Sequence, residues 1–163
     1  MAEKLAAENK ANEDMLLLLA NAAFEKKDAA NTIKYGTATA ELLKTKAAPQ
    51  GVNPEEWAKK KTTTSGVALW MVGMTYASKS DWAQTDTVLR EALPLIQGND
   101  LLMSHALFQL GLANHRMGEK GGNIPKIQEA YNFFKQCGTV KGPNAGAAAK
   151  NAAVLRTQYR GLK

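Results

Sequence analysis

Apolar residues recur along most of this chain at intervals of three and four, the spacing of one helix face. Leu16, Leu19, Ala20 and Ala23 form one stripe, Leu69, Val72, Gly73 and Tyr76 a second, and Leu107, Leu110, Gly111 and Asn114 a third. Each stripe is followed by a polar break and then by another apolar-periodic stretch. The segments are LANAAFEKKDAANTIKYGTATAEL at 19–42, VGMTYASKSDWAQTDTVLREAL at 72–93, and LGLANHRMG at 110–118 resumed by IQEAYNFFKQC at 127–137. The pattern predicts a helix–turn–helix unit used three times. Such units cannot bury an apolar face alone and must stack on their neighbours. The alternation expected of strands is nearly absent, so the expected fold is all-α.

The breaks divide the chain into seven predicted helices, over about 2–26, 28–46, 54–78, 82–97, 100–117, 125–137 and 144–160. AAPQGVN at 47–53 is the clearest loop. Asn53-Pro54-Glu55-Glu56 is a helix start, with a capping side chain, a proline suited to the first turn and two acids opposing the positive helix end. Pro94 should kink or end the fourth helix. GEKGGNIP at 118–125 reads as a longer, glycine-rich turn. In the last helix, Ala148, Ala152 and Leu155 are expected to face inward, with Lys150, Arg156 and Arg160 outward.

At the three units the sequence resembles the tetratricopeptide repeat. That family's pattern places a large apolar residue, then an apolar–small pair, then an aromatic in the first helix, and a small, a large and a small residue in the second. The middle copy matches best: Leu69, Val72, Gly73 and Tyr76, then Ser80 and Trp82 at the turn, then Thr85, Leu89 and Ala92. The first copy departs from the pattern. The third has an enlarged turn before Ala130, Phe134 and Cys137. The family repeats every 34 residues or so, whereas Ala20 to Gly73 is 53 and Gly73 to Gly111 is 38. The resemblance spans roughly 14–138. It implies a single domain over 1–163, built as a right-handed superhelix of antiparallel helix pairs. The repeats would lie near 14–46, 66–97 and 104–138, with a capping helix at 144–160. Its physical basis is that a small residue at Ala20, Gly73 or Gly111 lets two helices approach closely.

The resemblance also implies a function: a non-catalytic interaction scaffold that binds a protein or peptide in a concave groove lined by the first helix of each pair. The groove positions carried over are Leu17, Asn21 and Phe24 in the first copy, Trp70, Met71 and Met74 in the second, and His105, Phe108, Leu112, His115 and Arg116 in the third. The middle set is apolar, as in adaptable peptide grooves. The competing expectation is that Trp70 and Phe108 are buried by the long helices, or that the chain associates with itself or with another part of a longer protein. Some family members grip a C-terminal carboxylate with lysines, asparagines and an arginine. The corresponding positions here are Leu17, Asn21, Met71, His105 and Gln109, of which only Asn21 matches, so that specificity is not expected.

Charge and rare residues narrow the picture further. The net charge of +6 is uneven, at zero over 1–50, −1 over 51–100 and +7 over 101–163. The basic last third suits an acidic partner, but no aromatic or Gly/Arg motif of nucleic-acid readers accompanies it. GEKGGN lacks the Lys-Ser/Thr of a phosphate loop. His105 and His115 are ten apart rather than the four that would put two metal ligands on one helix face. The lone Cys137 lies on an apolar stripe and reads as a small buried hydrophobe. The sequence therefore predicts no enzyme, no metal and no cofactor. No stretch is long enough to span a bilayer. MAEKLAAENKANED is charged rather than signal-like, which leaves cytosol and periplasm both open.

Overall fold

The computed structural model describes residues 12–162. Within them the chain is all-helical, with seven α-helices: α1 (Glu13–Glu25), α2 (Ala29–Thr45), α3 (Pro54–Ser78), α4 (Trp82–Ala92), α5 (Asp100–Gly121), α6 (Ile124–Thr139) and α7 (Ala145–Gln158). The part of the predicted first helix that precedes Asn12 lies outside the described residues.

Helix starts follow one chemical rule. The side chains of Asn12, Asp28, Asn53, Asp81, Asn99 and Asn123 each accept a hydrogen bond from a backbone N–H in the first turn of α1 to α6. Each cap satisfies a donor that the helix itself leaves orphaned. Only α7 begins without one. Pro94 acts as expected: α4 stops at Ala92 and continues as a single 3-10 turn over Leu93–Leu95.

The turns within the three hairpins are the same turn. Lys27, Ser80 and Gly122 all sit in the left-handed region, with φ of 57°, 57° and 58°. In each case the next residue's N–H reaches back to a carbonyl five positions earlier: Asp28 to Ala23 at 2.9 Å, Asp81 to Tyr76 at 3.0 Å, and Asn123 to Gly118 at 2.9 Å. This bond closes a Schellman-type helix end. The expected long turn at 118–125 is thereby corrected, since α5 runs on to Gly121 and the turn is as tight as in the other copies. Gly118 does not break the helix. A Cβ there would lie 2.6 Å from Ile127 Cδ1, so the residue is small to let α5 and α6 touch.

Packing runs along the chain. Each helix packs on the next, and α3 also packs on both α1 and α5. The small residues named from sequence lie at the close contacts. Ala20 is fully buried, and a Cβ on Gly73 or Gly111 would fall 2.3 Å from Leu89 Cδ2 or 2.5 Å from Phe134 Cε1. The largest core cluster joins Leu107, Ile127, Phe134 and Cys137 to Ala148 and Leu155, which seats α7 on α6 through its alanine face. Lys150, Arg156 and Arg160 are exposed, as expected.

Two polar clusters cross between helices. Asn114, fully buried, donates from Nδ2 to Asp86 Oδ1 at 2.6 Å and to the Leu110 carbonyl at 2.9 Å. Its Oδ1 accepts from Lys126 Nζ at 3.0 Å, and Arg90 joins Asp86 to Glu129. The second cluster centres on Glu13, whose carboxylate takes hydrogen bonds from Lys46 and Lys60. Burial alone would raise the Glu13 pKa. The bonds from Lys46, its own backbone N–H and Lys60 outweigh it and lower the value from 4.5 to about 2.

Gly111→Val forces a branched side chain against the buried Phe134 ring and should cost about 1–3 kcal/mol in chemical denaturation. Gly146→Ala, where a Cβ would meet nothing within 4 Å, should instead leave stability unchanged or raise it by up to about 1 kcal/mol. Because the folded pKa of Glu13 is depressed, its stabilising contribution is complete above the ordinary value of 4.5 and is lost as pH falls towards 2. Melting curves of Glu13→Gln should therefore show a shallower loss of stability across that window than wild type.

Candidate functional site

The candidate groove positions lie on α1, α3 and α5, the three first helices of the hairpins. Three rings connect these helices. Phe24 of α1 stands 5.6 Å from Trp70 of α3, centroid to centroid and tilted by 58°. Trp70 stands 6.2 Å from His105 of α5 at 62°. All three are half-buried. Tilted and edge-to-face rings at these separations attract beyond their buried area, so the ladder ties the helices together while leaving part of each residue in contact with solvent. His105 is oriented from its far side by Asn144, whose Nδ2 lies 3.1 Å from His105 Nδ1. With the amide donating, the ring's Nε2 carries the proton in the neutral form. The Trp70 Nε1 atom is itself buried and has no hydrogen-bond partner among the described residues.

Two clefts lie between α1 and α3. One, of about 300 Å³, is lined by Asp14, Leu17, Leu18, Asn21, Val67 and Met71. The other, of about 450 Å³, lies at the turn end between Phe24 and Met74, with Ala29, Thr32 and Thr75 among its walls. Leu17 and Met74 are half-buried. Asn21 is exposed, and its amide donates to Glu25 Oε1 at 3.1 Å. Leu18, on the same helix, is 62% exposed.

The remaining positions separate from this set. Met71, expected in the groove, borders the smaller cleft but is only 1% exposed and belongs to the core with Ala20 and Tyr35. The reason is that α3 has neighbours on most of its circumference, so little of it stays open. Phe108 and Leu112 are half-buried and pack against the cluster of α6 and α7, with Phe108 edge-to-face on Phe134 at 5.7 Å. His115 and Arg116 lie further along α5, both facing Glu119, at 3.5 and 3.3 Å. The structure thus brings together Leu17, Phe24, Trp70, Met74 and His105, with Asn21 at their edge. It places Phe108, Leu112, His115 and Arg116 apart from them.

Sequence reasoning did not find Asn144 as the partner of His105. That side chain forgoes the usual capping bond of α7 to reach His105 and the Ser104 carbonyl, and no local pattern signals such a long-range choice. The cluster around Asn114 was also missed. Its signal was present, since a lone amide stood on an otherwise apolar stripe.

The Cys137 thiol is buried and donates to the Ser104 carbonyl, and burial raises its pKa, offset in part by the Ser104 side chain. His105 and His115 have separate neighbours. Among the described residues, no group of three or more His, Cys, Asp or Glu is placed to hold a metal ion, and no helix is long and apolar enough to cross a membrane. No protein-family description, curated protein or solved structure matches the chain.

Proposed function

We propose that this chain is a tetratricopeptide-like array, a right-handed superhelix of helix pairs, that acts as a non-catalytic scaffold. On this reading it binds an apolar peptide or helix across α1, α3 and α5. The observation that carries the reading is the half-buried ladder Phe24–Trp70–His105, beside two largely apolar clefts between α1 and α3. Half-buried aromatic rings backed by a packed core lose little side-chain freedom on binding and supply large contact areas, which is the character of interface hot spots. The anchors are Leu17, Phe24, Trp70 and Met74, with Asn21 at the polar rim. Met71 supports them from below, and Phe108 and Leu112 hold the neighbouring helices.

A second reading, association of the chain with itself, draws on Leu18 and Leu101, which are 62% and 56% exposed on α1 and α5. Sedimentation over a range of concentrations decides it, because a strict monomer removes it.

The groove reading predicts that panning a displayed peptide library enriches apolar sequences. Their affinity should fall roughly tenfold or more on Trp70→Ala, with the helical circular-dichroism spectrum unchanged. Met74→Gln, a milder change at the second cleft, should weaken the same peptides. Enriched peptides that bind both variants as tightly as wild type would overturn the groove, as would unfolding of Trp70→Ala together with an unaffected Met74→Gln.

A further inference from the structure

The charge asymmetry is sharper than a division into thirds suggests. Residues 1–129 carry fifteen Lys/Arg and fifteen Asp/Glu, whereas 130–163 carry six Lys/Arg and no acidic residue. The whole net charge of +6 therefore resides in α6, α7 and their flanks. Elsewhere several cations are paired, among them Lys44 with Glu41 and Glu91, Lys60 with Glu13 and Asp14, and Lys126 with Asp86 and Glu129. Lys135, Lys141, Lys150, Arg156 and Arg160 are all exposed, and none forms an ion pair among the described residues.

Helix electrostatics explains only part of this. Arg156 and Arg160 lie at the C-terminal end of α7, where the helix dipole favours cations. Lys141 precedes the start of α7 and Lys150 lies in its second turn, where the dipole gives a cation no support, and no acidic residue stands in the first turn.

The surface between these cations has its own character. The inner side of α7 is filled by Ala148, Ala152 and Leu155. The outer side exposes Gly146, Ala149 and Ala153, with Val154, 52% exposed, as its largest apolar residue. Small side chains permit close helix approach, as at Gly73 and Gly111 within the fold. An inserting membrane face would carry exposed Leu, Phe or Trp, and α7 exposes none of these. A stacking platform for nucleic-acid bases needs exposed aromatics, but Tyr131 and Phe134 are buried and Phe133 and Tyr159 half-buried.

We infer that the outer face of α7 is a docking site for an acidic helix of another protein, held by Lys150, Arg156 and Arg160 and seated on the small residues between them. This site is separate from the aromatic ladder and does not depend on it. The test titrates the full chain into a fluorescent amphipathic Glu/Ala/Leu helical peptide, with polyglutamate, a DNA duplex and phosphatidylserine vesicles as parallel probes.

The helical peptide should bind best at equal salt and weaken steeply as salt rises. Lys150→Glu with Arg156→Glu should reduce its affinity roughly tenfold or more, and Trp70→Ala should leave it unchanged. Ala149→Gln with Ala153→Gln should weaken the helical peptide but not polyglutamate, since bulk there separates two helices without removing charge. Circular dichroism of each variant verifies folding at these exposed positions. The inference is overturned by no peptide binding at low salt, by indifference to the charge reversal, by indifference to the bulky pair, or by tighter binding of DNA or vesicles.

Discussion

The constraint on which the fold depends is the close approach of two helices within each hairpin. At Gly73 and Gly111 a single added carbon would collide with Leu89 or Phe134. The large residue on the second helix therefore fits only because the first helix offers no side chain opposite it. This distance sets the rest. It aligns the hairpins so that α3 can meet both α1 and α5, and it brings Phe24, Trp70 and His105 within ring-contact range of one another. The aromatic ladder thus depends on the small residues of the same helices.

Most of the fold was legible because its signals are local. An apolar stripe of period 3.6 identifies a helix, and Asn or Asp before it supplies the cap; both can be read within a few residues. Pro54 and Pro94 behaved as their missing N–H requires. The error at 118–125 has a specific cause. Gly118 and Gly122 look alike in sequence and do opposite things, since one stays helical to admit Ile127 and the other leaves the helix with φ of 58°. Only the position of the facing helix distinguishes them. Once Gly118 is read as helical, the third copy differs from the others by added helix rather than by an enlarged turn.

The candidate site was legible in part, and the boundary is again physical. Periodicity places a residue on a face but does not say whether that face is covered. On α5 the assignment separated half-buried His105, Phe108 and Leu112 from buried Ala106, Leu107 and Leu110. On α3, enclosed by neighbours, it failed for Met71. What then distinguishes Trp70 from Phe108 is not chemistry but the neighbour. Phe108 packs on the cluster that α7 completes, while Trp70 packs on the clusters around Met71 and Leu110 and meets the rings of Phe24 and His105.

The buried amide of Asn114 shows how this neighbour relation is kept in register. An apolar residue in its place would fill space equally well and accept several rotations of α5 against α4 and α6. The amide does not, because it donates to Asp86 on α4 and accepts from Lys126 on α6 at the same time. Any rotation that breaks one of these bonds strands a buried polar group, which costs more than a lost apolar contact of the same size. The same rotation would carry His105 away from Trp70, since Asn114 and His105 both project from α5. The polar cluster on one side of α5 and the aromatic ladder on the other therefore depend on a single angle, and the cluster is the part that cannot adjust.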